Sequence, residues 1–213
     1  MFLDFVEGPL WYTAVAVFLV GVAWRLAAIA RAGLKDDLSV PRTSGTPGAV
    51  ATVFRRFLPH REFMRPAAFQ MVAGYAFHIG LFVLVLFAAP HVEFIEQRIL
   101  GFGWTPAPHW VFLLAANFAF AGLLLLWLRR MLDPVLRRIS TLDDHIGTGL
   151  TFVVMFTGCM ALFESHDFLR ALHMLFVDLL LIYFPFSRLM HAFTFIFSRG
   201  FTGATMARKG VSA

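Results

Sequence analysis

Five stretches of this chain are apolar over enough consecutive residues to cross a bilayer, and that property excludes most other architectures. They run roughly over residues 9–31, 67–90, 109–129, 147–165 and 168–196. A helix needs about 20 apolar residues to span a hydrocarbon layer roughly 30 Å thick. Inside that layer every backbone N–H and C=O must find its partner within the segment, so such runs read as helices. Composition agrees, with 59% of the 213 residues hydrophobic and only 15% charged, well outside the balance of soluble domains. The expected fold is an all-α membrane protein, one domain over 1–213 built as a bundle of five transmembrane helices. The first run is longer than the apolar core of a signal peptide and lacks its small-residue cleavage site, so it is expected to remain as a helix.

The basic residues sort by side. Eight Lys or Arg lie from Arg25 to Arg65, four from Arg129 to Arg138 and four from Arg188 to Lys209, which leaves only Arg98 and Arg170 elsewhere. Sixteen of the eighteen therefore fall on one side of a five-span chain, expected to be the cytoplasm. The N-terminus is then periplasmic, the C-terminus cytoplasmic, and the chain a multi-pass protein of the bacterial inner membrane. The net charge of +5 follows from this topology and does not argue for nucleic acid. The segment from Asp36 to Pro66, SVPRTSGTPG followed by FRRFLPHREFMRP, is expected to be a cytoplasmic connection. It suits a solvated loop followed by an interfacial helix on lipid headgroups, or a docking surface for a cytoplasmic partner subunit.

Histidine carries the chemistry. The run LHMLFVDLLLIYFPFSRLMHAF reads as one apolar helix with His173 and His191 near its ends, 18 residues apart. In an unbroken helix that spacing is five turns, so both imidazoles share a face and stand about 27 Å apart along the axis. A neutral imidazole in lipid needs a partner, and a metal is one that suits two of them at opposite depths; the alternative is two interfacial histidines capping a membrane helix. The single cysteine, Cys159, and the lack of a CxxCH motif exclude disulfide frameworks, thiolate-held clusters and covalently attached haem. The second run supplies His78, flanked by Gly74 and Gly80, with His91 following thirteen residues later, after Pro90. Helices two and five run antiparallel, which pairs His78 with His191 and His91 with His173. Those pairs suit two bis-histidine b haems, an inner and an outer one. Thirteen residues turn a regular helix by roughly 220°, so His78 and His91 share a face only if the helix is distorted near Pro90. His109 is the competing outer ligand. His60 and His145, on the cytoplasmic side, read as surface or propionate-facing residues, and His166 as exposed in an outer loop.

Three other groups bear weighing. Asp178 lies within the fifth run, either handling protons or bonding a neighbouring helix. Arg188, three residues before His191, either pairs with a haem propionate or snorkels to the interface. Pro185 is expected to kink the helix.

The fifth run, with HMLFVDLLLIYFPFSRLMH, resembles the last helix of the respiratory nitrate reductase gamma subunit family, and FHIGL of the second run resembles the same family. The second histidine of that family's helix two falls at Ala88 here, with His91 as the replacement. FHIGLFVLVLFAAPHV, LRRMLDPVLRRISTLDD and FSRGFTGATMARKG are more similar to the cytochrome b subunits of sulfite-reduction-associated and heterodisulfide-reductase-like membrane complexes. The resemblance covers Phe69 to Gly210. It implies a five-helix di-haem subunit that exchanges electrons with quinone and with a cytoplasmic iron–sulfur partner, not catalytic alone except for quinol oxidation or quinone reduction. Two alternatives stand beside it. One is a haem-free anchor or assembly subunit; the other is a mono-haem cytochrome that uses only His78 and His191, which follows if Ala88 marks a lost outer site.

Overall fold

The computed structural model describes residues 1–33, 40–59, 61–163 and 166–211. Among the described residues there is no β-strand. In chain order the helices are α1, Phe2–Ala32; α2, Gly45–Arg55; α3, Arg61–Phe87; α4, Ala89–Ile95; α5, His109–Leu132; α6, Pro134–Ile139; α7, Leu142–Phe163; α8, Asp167–Tyr183; and α9, His191–Arg208. Among the described residues five helices are long and apolar enough to cross a membrane: Phe2–Ala32, Arg61–Phe87, His109–Leu132, Leu142–Leu162 and Asp167–Phe186. The chain is an all-helical protein with five candidate membrane spans.

Two stretches depart from the expected elements. The fifth apolar run is not one helix over 168–196. It ends as an α-helix at Tyr183, passes through short 3₁₀ turns at Phe184–Phe186 and Arg188–Met190, and starts again at His191. Pro185 cannot donate to the ladder, and Ser187 is extended at φ −110°, ψ 174°, its side chain accepting from the Leu189 N–H as a new cap. That break removes the continuous helix on which a shared face for His173 and His191 depended. The second departure is the segment expected as a connection. It carries α2, and the basic tail after it in sequence, FSRGFTGATMARKG, is the body of α9.

The residues group into two compact units, Met1–Ala14 with Ala68–Leu180, and Val15–Ala67 with Leu181–Ala213. The first unit has its core where α3 meets α5, with Leu84, Phe112, Ala115, Ala116, Ala119, Leu123 and Met155 buried together. Small residues set this approach. A Cβ on Gly80 would lie 2.5 Å from the Ala115 carbonyl oxygen, and one on Gly122 would lie 2.5 Å from the Phe77 nitrogen. The two backbones touch through reciprocal glycines, the means by which membrane helices gain contact when lipid gives no hydrophobic drive. Gly80 thus serves helix packing, whereas Gly74 faces open space. At the foot of α5, Asp133 caps α6 by accepting from Val135 and Leu136, and Arg130 pairs with Asp144 at 3.2 Å.

The second unit holds α2 against α9. Gly48 sits on the Gly203 carbonyl and Ala207, and Gly203 sits on the Gly48 carbonyl and Thr52, too close for any added carbon. Arg199 reaches across to the Val53 carbonyl at 3.2 Å and lies over the Phe57 ring at 4.7 Å. Arg42 N–H and the Thr43 hydroxyl donate to the Arg208 and Ala207 carbonyls, closing the end of α9.

Candidate functional site: a facing histidine pair

The end of α3 explains why His91 points where it does. An α-helix leaves its last four carbonyls without partners. Here α3 stops at Phe87, Ala88 is extended, and Pro90 sits in the first turn of α4, where a missing N–H does no harm. The orphan carbonyls are then met from outside the helix. His91 Nδ1 donates to Leu84 at 2.8 Å, Trp104 Nε1 to Leu86 at 2.7 Å, and the Ala107 N–H to Phe87 at 2.9 Å. Because His91 belongs to a new helix, the 220° rotation expected of a continuous one does not arise.

His173 approaches from α8. Its ring lies against α7 at Thr157 and Gly158, where a Cβ on Gly158 would come within 2.9 Å of His173 Cε1. The Thr157 hydroxyl donates to the Val153 carbonyl at 2.8 Å and has His173 Nδ1 at 3.3 Å. The rings of His91 and His173 lie with centroids 6.0 Å apart and planes 20° from parallel. Both are half-buried.

A metal tests this geometry. The lone pair of an imidazole nitrogen lies in the ring plane, so His91 and His173 would hold a metal through ring nitrogens turned toward each other, and their centres 6.0 Å apart are within reach of one ion. With Nδ1 of His91 on the Leu84 carbonyl and Nδ1 of His173 beside the Thr157 hydroxyl, Nε2 is the nitrogen of each ring that would serve as a ligand. Among the described residues no three His, Cys, Asp or Glu side chains gather as a metal cluster. Two protein nitrogens are what a haem takes, since its porphyrin fills the remaining positions, whereas structural zinc takes four protein ligands.

The other sequence candidates distribute as follows. His78, on α3 in the first unit, holds Nδ1 to the Gly74 carbonyl at 2.7 Å with its ring across Phe77. His191 opens α9 in the second unit, Nδ1 to the Arg188 carbonyl at 2.9 Å. Arg188 is exposed. His109 begins α5 with its ring beside Phe112, 6.4 Å between centroids, and His145 accepts from Trp127 at 3.3 Å. His166 is exposed, its carbonyl starting α8, and His60 lies outside the described residues. Asp178 is fully buried, and neither carboxylate oxygen has a hydrogen-bond partner, so no bond to a neighbouring helix accounts for it. Thr157 and Gly158 were not singled out from sequence. A threonine–glycine pair inside an apolar run is common in membrane helices and signals packing before it signals a site.

No protein-family model matches the chain, and no solved structure matches it. A protein of Nitratidesulfovibrio vulgaris strain Hildenborough is 29% identical over 219 aligned residues, covering 96% of this chain and 93% of its own length. The chain is similar to it from end to end.

Proposed function

We propose that this protein is a membrane-embedded cytochrome b subunit that passes electrons between the quinone pool and a cytoplasmic iron–sulfur partner. The observation that carries the reading is the pair His91 and His173, whose ring centres lie 6.0 Å apart with Nδ1 of each beside a protein oxygen, and which would hold the haem iron. A haem bound there supplies reversible one-electron chemistry at a potential tuned by its surroundings. The chain's own part is to hold the ligands. The Leu84 carbonyl and the Thr157 hydroxyl would orient the two rings, and Gly158 leaves the His173 ring its room. His78 and His191 are set by the same Nδ1-to-carbonyl bond and are the sequence's candidates for a second haem. The orientation that puts the C-terminus in the cytoplasm of a bacterial inner membrane rests on the sixteen basic residues of one side. Asp178 is the buried carboxyl we assign to carrying a proton during quinol oxidation.

The test is to add a quinol analogue to the purified, oxidised protein and follow its absorption spectrum. The reading predicts a b-type haem band that appears on quinol addition. Protein with no haem spectrum, or with a haem that quinol leaves oxidised, would remove it in favour of a haem-free anchor or of a carrier unconnected to quinone.

A further inference from the structure

The second unit presents a surface that the haem reading leaves unused. Residues 40–67 and 181–211 contain nine Lys or Arg and a single acid, Glu62. On α2 the packing face is Gly45, Gly48 and Thr52. The face turned away from it carries Val50 and Phe54, 56% and 69% exposed, and the chain continues into exposed Phe57 and Leu58. On α9, Phe197 and Phe201 are exposed one turn apart, with Arg208 and Lys209 beyond them. Large apolar side chains beside cations are the composition of a helix lying in a membrane interface.

Connectivity keeps both helices at that interface. Only residues 56–60 separate α2 from the second candidate span, a reach of roughly 20 Å at most. Four residues separate the end of the fifth span, Phe186, from His191. In a chain of five consecutive spans, the start of the second and the end of the fifth lie on the same side of the bilayer. Both helices are therefore tethered to one membrane surface, whichever side that is.

We propose that α2 and α9 form a platform that docks on anionic lipid, with the exposed apolar side chains in the headgroup layer and the cations on lipid phosphates. Charge complementarity selects this occupant: eight positive charges in excess attract a surface of acidic headgroups, each contributing within a Debye length. The glycine contacts between α2 and α9 lock the two helices so that they dock together. This inference does not depend on haem.

The experiment uses the full-length protein in nanodiscs, in a Cys159→Ala background with Phe54→Cys labelled by an environment-sensitive fluorophore. With phosphatidylglycerol in the disc the label should emit from an apolar setting and be quenched by brominated acyl chains. In discs of phosphatidylcholine alone, or with Arg55→Gln and Arg56→Gln together, the docked-to-undocked ratio should fall roughly tenfold or more. A second label, at Phe201→Cys, guards against local damage at α2 and should report the same change. Quenching equal in both lipids would overturn the charge-directed docking. A label that brominated lipid never reaches, and that is shielded only when a soluble protein is added, would overturn it too and assign the surface to a protein partner.

Discussion

Gly158 has room for a hydrogen and for nothing larger, because the His173 ring occupies the space a methyl group would take. Gly158→Ala therefore tests the histidine pair with a single carbon. The expected outcome is a protein with unchanged helix content by circular dichroism and at least a severalfold loss of bound haem, since a ligand must be held within about half an ångström of its working position. Full haem content in that variant would show that His173 does not bind in the orientation described. At this scale the sequence was legible only in part. The histidines announced themselves because a polar ring in an apolar run is costly without a reason. Thr157 and Gly158 did not, because their work depends on which helix faces His173, and nothing in one sequence states that.

Among the elements, the apolar runs were easy to read and their ends were not. Lipid-compatible residues continue through Phe184, Phe186 and Leu189, so no drop in hydrophobicity marks the place where α8 stops. Pro185 signalled a kink; the break also needs the extended Ser187 and its cap on Leu189, which are local hydrogen-bond choices. The same holds at Ala88, where the turn from α3 to α4 is stabilised by His91, Trp104 and Ala107, groups up to twenty residues further along. In α2, Gly45, Gly48 and Thr52, residue types that suggest a loop, instead provide the face that meets α9. The α3–α5 contact yields a prediction of its own. A Cβ at Gly80 meets backbone on two sides, the Ala115 carbonyl and the Ala119 nitrogen, and backbone cannot rotate away as a side chain does. Gly80→Ala should destabilise the first unit by about 1–3 kcal/mol, read as a lower denaturation midpoint in detergent. An unchanged midpoint would mean that the two helices do not touch through this residue.

For the molecule as a whole, five spans follow from length and hydropathy, and the basic residues gather at alternate connections. Those features were plain in the sequence because the bilayer imposes them on every residue within it. The histidine pair was half plain: antiparallel helices suggested His91 with His173, and the side-chain geometry brings those two rings to 6.0 Å. The measurement that tests the account most directly is haem b per polypeptide, by pyridine haemochrome, for the purified wild-type protein and for His91→Ala. The account predicts haem in the wild type and one equivalent less in the variant. No haem in the wild type, or a content that His91→Ala leaves unchanged, would contradict it.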